Sequence, residues 1–343
     1  MHRAQHSLRF DLIPKLELHL HLEGSIPPAI ILELINKYDH TLAKTLTIES
    51  LTKIFQFNDF THFLELWAWK NTFIRETDDF TLIANSVAKH LRSQNIHYAE
   101  IFYSPADFAK TGIPLQDMTE AIYRGYSKVD GIKIQLIADL VRGSDPKQTY
   151  SMLDPLLELQ HEGVIGIGLG GNEAKFPPGV YKATFQRARD MGLLTTVHAG
   201  EGAGPASIWE ALRELHPHRI GHGVRAVEDP LLMTHLAEHQ IPLEVCPLSN
   251  ICTDIYSDYA QHPVRRIFDS GIPISINTDD PAMFQNSMAE EYAGLMDIHR
   301  FSALEIQQLT LTAVEHSFAD EATKSALRTS IIQDPQWTSH FIA

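Results

Sequence analysis

An eight-stranded parallel α/β barrel, the (β/α)8 TIM barrel, is the fold this sequence predicts. Two patterns carry that expectation. Short runs rich in Val, Ile and Leu alternate with longer amphipathic segments, and strands that alternate with helices pair in parallel through βαβ crossovers. Eight such units over about 250 residues match the size of this barrel. A third observation agrees with both. Histidines and acids gather just beyond several of the apolar runs, where the active sites of such barrels form.

The expected strands are Leu16–His21, Tyr98–Tyr103, Lys133–Leu140, Val164–Leu169, Leu194–His198, Arg219–Gly221, Pro242–Cys246 and Pro273–Asn277. The first alternates strictly, and residues two apart on a strand share a face. Its leucines are therefore expected on one side, with His19 and His21 aimed together on the other. Helical patterns cover Phe80–Ser93, Met118–Asp130, Asp145–His161, Tyr181–Met191, Ser207–Leu215, Pro230–His239 and Pro263–Ser270. The connection between the first two strands is too long for one crossover. It carries Lys44–Phe55 and the aromatic stretch Phe60–Trp69, expected as extra helices folded over the barrel mouth within residues 40–80. In that stretch Phe63 and Trp67 read either as core or as an apolar wall against a substrate. After the eighth strand, Met288–Asp297 and Ser302–Ala319 read as helices, followed by a helical tail. No internal repeat, low-complexity stretch or linker is visible, so one domain over residues 1–343 is expected.

Composition excludes several classes of function. The 343 residues carry 28 Lys plus Arg against 43 Asp plus Glu, a net charge of −15. With no basic stripe, binding to a nucleic-acid backbone has no electrostatic support. No stretch approaches the roughly 20 apolar residues that span a bilayer, and Met1 to Asp11 is polar and basic, unlike a signal peptide. Cys246 and Cys252 form neither a disulfide framework nor a Cys-x-x-Cys metal pair. A cytoplasmic protein with a small-molecule partner is the expectation, its oligomeric state open. Of the 19 histidines, His40, His62, His90, His161 and His235 lie in polar or amphipathic contexts and read as surface or packing residues.

Four strand ends carry the chemistry. The first ends in His19-Leu20-His21, the fifth in His198-Ala199-Gly200-Glu201, the sixth in Gly221-His222-Gly223 and the eighth in Asn277-Thr278-Asp279-Asp280. Three histidines and a carboxylate are enough ligands for zinc while leaving a place for water. Glu201, three residues past His198, is near that centre yet free to handle protons, and His222 offers a second such group. Gly166-Ile167-Gly168-Leu169-Gly170-Gly171 matches G-x-G-x-x-G, but a dinucleotide fingerprint follows a strand and opens a helix. Here the glycines fall inside the strand, which argues against a dinucleotide site.

These motifs closely resemble the adenosine deaminase family of the metal-dependent amidohydrolases. The matching pieces are Pro14 to Ser25, Gly168-Leu169-Gly170-Gly171-Asn172-Glu173, His198-Ala199-Gly200-Glu201, Arg219-Ile220-Gly221-His222-Gly223, Cys246-Pro247-Leu248-Ser249-Asn250 and Asn277-Thr278-Asp279-Asp280-Pro281, in family order. The resemblance implies one catalytic zinc per chain held by His19, His21, His198 and Asp279. It implies that Glu201 protonates purine N1, and that His222, with Asp279 beside it, orients and helps deprotonate the attacking water. Asp280 would accept a hydrogen bond at N7, and the Gly171 N–H would donate to N3. The fourth strand lacks the lysine that carries a second metal in some relatives, which agrees with a single ion. Protonation of N1 requires a neutral carboxyl, so a raised pKa is expected for Glu201 in the substrate complex.

The substrate is less sharply marked. Glu23-Gly24 stands where adenosine enzymes commonly have Asp-Gly, near the ribose 5′-hydroxyl, and Phe102 where they usually carry Arg. Both features, like Cys246 to Asn250, resemble the adenine deaminase branch. Gly170-Gly171 replaces the Ser-Ser usual there, and small residues beside N3 would leave room for a substituent at N9. The resemblance therefore implies an adenine-ring nucleoside, adenosine first, with 6-amino-6-deoxyfutalosine and free adenine as alternatives. A zinc hydrolase of another ring amidine, or a catalytically inactive nucleoside-binding relative, remains as a further class.

Overall fold

The computed structural model describes residues 9–57 and 60–338. Residues 1–8, part of the basic segment read as unlike a signal peptide, lie outside that description. Eight strands follow one another round the sheet in chain order: β1 (Lys15–His21), β2 (Ile96–Tyr103), β3 (Lys133–Val141), β4 (Val164–Gly170), β5 (Leu194–Ala199), β6 (Arg219–His222), β7 (Leu243–Val245) and β8 (Ile274–Ile276). Each pairs in parallel with the next. The architecture is the expected (β/α)8 barrel, with strand ends shifted by one or two residues.

The barrel closes between β8 and β1 through an unusual seam. Leu20 bridges Asp279. The His21 N–H donates to the Asp279 carbonyl at 2.9 Å, and the Asp279 N–H donates to the His19 carbonyl at 3.1 Å. Lower down, the Asn277 side chain replaces a strand partner by accepting the Leu18 N–H at 2.8 Å. Asp279 adopts a left-handed backbone with φ 65°, a conformation that is uncommon outside glycine and marks turns and functional positions.

Alternation on β1 works as read. Leu16, Leu18 and Leu20 join the hydrophobic core. Glu17 reaches across the seam to accept the Thr278 N–H at 2.6 Å, and the two histidines face the centre. Parallel strands buried on both faces need such a helical coat, and helices follow most strands.

Three helical segments depart from expectation. Asp145–His161 breaks into Pro146–Ser151, Leu153–Glu158 and a 3₁₀ turn at Leu159–Glu162, because Pro155 has no N–H for the preceding turn. Lys44–Phe55 begins only at Ile48, where Thr47 caps the helix by accepting the Ser50 N–H at 3.1 Å. Pro205–Glu210 passes into a π turn at Ala211–Leu215. The helices Pro28–Tyr38 and Pro247–Cys252 were not read from the sequence; each opens on a proline, which is at home at the first helical position. Among the described residues, no helix is long and apolar enough to cross a membrane.

Glu291, on the helix Met288–Asp297, ties together the loops that follow β7 and β8. Its Oε1 accepts the Leu248 N–H at 3.1 Å and the Asn286 amide at 3.0 Å, and its Oε2 accepts the Tyr259 hydroxyl at 3.2 Å. Burial pushes its carboxyl up to about 8. The folded chain thus holds a proton that the unfolded chain releases at lower pH, and stability falls as pH rises from the ordinary carboxyl range to about 8. Glu291→Gln, which keeps one donor and one acceptor, is expected to match the wild type at pH 5. By pH 9 it should exceed the wild type by at least about 1 kcal/mol. Denaturant midpoints across that range check this; a constant difference would contradict it.

Candidate active site

β1, β5, β6 and the β8 turn deliver four imidazoles and a carboxylate to one point at the C-terminal rim. His19 Nε2 lies 3.0 Å from His198 Nε2, and His21 Nε2 lies 3.2 Å from that same atom. Asp279 Oδ1 stands 3.6 Å from His19 Nε2 and 3.4 Å from His21 Nε2. Its other oxygen accepts the Ser249 hydroxyl at 2.6 Å, which turns Oδ1 toward the imidazoles. One ligand atom each from His19, His198, His222 and Asp279 also fall within 4.8 Å of one another. Two overlapping quartets therefore surround the centre, differing in His21 against His222.

The donor set fits a cation. His19 Nδ1 lies 2.7 Å from Glu244 Oε2, so Nδ1 carries the proton and Nε2 presents a lone pair, the arrangement that fixes a metal-binding histidine. Burial pushes His19 and His198 well below the ordinary imidazole range and His21 to about 3. A single shared proton cannot satisfy three converging Nε2 atoms and a carboxylate. The milder reading, a hydrogen-bonded histidine pair at a strand end, accounts for one of these contacts only.

Glu244 is itself held in the barrel interior. It accepts the Thr196 hydroxyl at 3.0 and 3.1 Å and the Arg219 Nε–H. Arg219 also pairs with Glu100 and lies over the Phe318 ring at 3.5 Å. Burial opposes the charged guanidinium, yet Glu100 and Glu244 raise its pKa on balance. A buried charge is sustained by such pairing.

Glu201 is buried beside this centre. Its Oε2 lies 3.7 Å from His222 Nε2, which is 3.8 Å from Asp279 Oδ2. Burial, then the negative Glu173, pushes the Glu201 carboxyl up to about 8. The loop carrying it is gripped by Glu173, which accepts the N–H groups of Gly200 at 2.6 Å, Glu201 at 3.1 Å and Ala203 at 3.0 Å. His222 has φ 59° and is, like Asp279, a left-handed residue at a strand end.

A cavity opens above these groups. His21, His198, Glu201, His222 and Asp279 form its floor, Gly171 and Asp280 line its side, and Phe63, Leu64, Trp67 and Phe284 cover one wall. Phe63 stacks on Phe284 with ring centroids 5.3 Å apart. Trp67 meets the His21 ring edge-on at 6.0 Å and donates its indole N–H to Asp107 at 2.8 Å. The aromatic stretch is thus cavity wall as well as packing. Asp280 packs where a Cβ on Gly24 would fall 1.7 Å from its Oδ1, so only glycine fits after Glu23. Glu23 does not line the cavity. It lies behind it, its Oε1 accepting the Ser104 N–H at 3.0 Å.

Sequence reasoning missed Asp139, Asp107, Glu173 and Glu244. Asp139 and Glu244 left a signal, an acid near the end of an otherwise apolar strand; Asp107, in a 3₁₀ turn, left none. Asp139 also bears on the room expected beside N3. A Cβ on Gly170 would fall 2.6 Å from Asp139 Oδ2, and one on Gly168 2.8 Å from Oδ1. The space behind Gly170 is therefore taken by this carboxyl, while Gly171 lines the cavity beside it. Gly166, Gly168 and Gly170 lie within β4 itself, where Gly168 and Gly170 let it pass the Asp139 carboxyl of β3, so they form no phosphate loop.

Glu173→Gln would set an amide NH2 against backbone N–H groups. The expected cost is about 1–3 kcal/mol of stability, read as a lowered denaturant midpoint; an unchanged midpoint would deny Glu173 its role in holding the loop.

Comparison with known proteins agrees with this geometry. Residues 14–334 match the family model described as adenosine deaminase. The chain is 35% identical over 324 residues to an aminodeoxyfutalosine deaminase of Streptomyces avermitilis, covering 93% of this chain and 90% of that one. It is 36% identical over 323 residues to an adenosine deaminase of Edwardsiella ictaluri, covering 92% and 96%. The solved adenine deaminase of Arthrobacter aurescens superposes with a TM-score of 0.87 at 30% identity, over 95% of this chain and 99% of that one. An amidohydrolase of Burkholderia ambifaria with bound Zn gives 0.86 at 26% identity, over 96% and 92%. With the motifs in order along eight parallel strands and the match running nearly end to end, the chain belongs to the adenosine deaminase family of amidohydrolases and is a hydrolytic deaminase acting on a purine ring.

Proposed function

We propose that this chain deaminates an adenine-ring nucleoside at C6, adenosine to inosine plus ammonia, with one zinc ion held by His19, His21, His198 and Asp279. The observation that carries the reading is a buried Glu201 carboxyl beside a centre of converging imidazole nitrogens. When bound, zinc supplies a water that loses its proton near neutral pH.

The chain's own groups do the rest. Glu201, pushed up to about 8 by burial and by Glu173, carries a proton at pH 7 and donates it to N1, which drains electrons from C6 and opens it to attack. Asp280 is raised well above the ordinary carboxyl range by burial and by Asp279. In its neutral form it donates to N7, which can only accept, the reverse of the direction the resemblance implied. Water's oxygen bonds to C6, the C6–N6 bond breaks, and the amino group leaves with a proton as ammonia. His222 and Asp279 flank the attacking oxygen, Gly171 offers its N–H toward N3, and Phe63 and Trp67 exclude bulk water. Glu23 acts from behind the wall, supporting Ser104 near the sugar.

The cavity wall also speaks to substrate class. It includes the carboxyls of Asp107, Asp139 and Asp280 and, among the described lining residues, neither lysine nor arginine. Among the described residues, Asp139 Oδ1 is buried with no hydrogen-bond partner. Such a wall suits a neutral ligand with donors to offer, such as ribose hydroxyls, and offers a phosphate no cation. Two other readings have specific support. The aminodeoxyfutalosine deaminase likeness and the apolar wall of Phe63, Leu64, Trp67 and Phe284 favour a nucleoside extended at the 5′ end. The filled space behind Gly170 favours free adenine, whose N9–H could meet Asp139.

Ammonia release from adenosine, adenine, 5′-methylthioadenosine and aminodeoxyfutalosine tests the reading; preference for adenosine supports it, and no release from any purine would end it. Glu201→Gln is expected to keep its metal while losing about 10²–10⁴ in turnover; retaining more than about a tenth of wild-type turnover would remove Glu201 from the reaction. His21→Ala is expected to lose both metal, by elemental analysis, and turnover. A metal-replete, active His21→Ala would defeat the ligand assignment.

A further inference from the structure

Behind His222, away from the cavity, three hydrogen bonds run in line through buried side chains. The Val264 N–H donates to His262 Nδ1 at 3.2 Å. His262 Nε2 lies 3.2 Å from Asn250 Oδ1, and Asn250 Nδ2 lies 3.2 Å from His222 Nδ1. His262, Asn250 and His222 are all buried, so water does not compete for these contacts.

The direction of each bond follows from its anchor. A backbone amide nitrogen can only donate, so His262 Nδ1 accepts. A neutral imidazole then carries its proton on Nε2, and burial, which pushes His262 down to about 3, keeps it neutral. His262 Nε2–H therefore donates to Asn250 Oδ1 and fixes which way the amide faces. The Asn250 NH2 is left to donate to His222 Nδ1. Nδ1 is thus an acceptor, and the proton of neutral His222 sits on Nε2, the atom facing Glu201 and Asp279.

We propose that Asn250 and His262 are positioning residues that relay the polarity of the Val264 amide to His222, holding it as the Nε2–H tautomer. Two consequences follow for the reading above, on which this inference rests. His222 Nε2 has no free lone pair, which agrees with the quartet proposed above, the one containing His21. His222 also acts on the attacking water's oxygen as a donor that orients it.

Nitrogen-15 NMR of histidine-labelled protein, metal-free and zinc-loaded, reads the tautomer directly, with the His222 signals assigned by their loss in His222→Gln. The wild type should show a protonated Nε2 and a bare Nδ1; a protonated Nδ1 overturns the relay. His262→Gln can still accept from Val264 and donate to Asn250, so it should keep the tautomer and turnover. His262→Leu and Asn250→Leu should mix the tautomers and lower kcat by roughly 10–100-fold with KM unchanged. If both leucine variants keep the Nε2–H form and full kcat, the proposal falls. Should either fail to fold, the wild-type spectrum and the His262→Gln result still decide it. A wild type with the expected tautomer that releases ammonia from no purine would support the relay while ending the deaminase reading.

Discussion

The seam between β8 and β1 is the constraint on which this molecule turns. Closing a barrel means pairing the last strand with the first, and here the pairing at the rim is made by His19, His21 and Asp279. Their backbones close the sheet while their side chains build the centre. The geometry of the centre and barrel closure are therefore coupled, because neither strand end can shift without separating the imidazoles from Asp279. The left-handed backbone of Asp279 is the local strain that this double duty imposes.

Beneath the rim lies an interior rich in charge, and its order comes from matching donors to acceptors. Glu244 joins His19, Thr196 and Arg219, and Arg219 in turn joins Glu100. Glu173 meets three backbone N–H groups. Burial raises Glu201, Asp280 and Asp139, and all three line the cavity.

Much of this was legible in the chain. Eight apolar runs gave eight strands because parallel barrel strands are buried on both faces and must be apolar nearly throughout. His19, His21, His198, His222, Glu201 and Asp279 stood out because polar groups at the ends of such strands have few structural reasons to be there. Helix interruptions were harder to read. Pro155 was visible, but whether a proline bends a helix or divides it depends on what the flanking turns pack against.

Sequence alone determined the strand order, the candidate site residues and their common rim, since each is local pattern repeated at a fixed topological place. Tertiary structure decided what distant residues do to one another. Only the fold shows that Asp139 fills the gap left by Gly170, that Glu23 stands behind the wall, and that Glu244 orients His19 across 225 positions of chain. Hydrogen-bond polarity, burial and the sign of a pKa shift belong to pairs of groups, and the pairing is made by packing in space, which no one-dimensional spacing records.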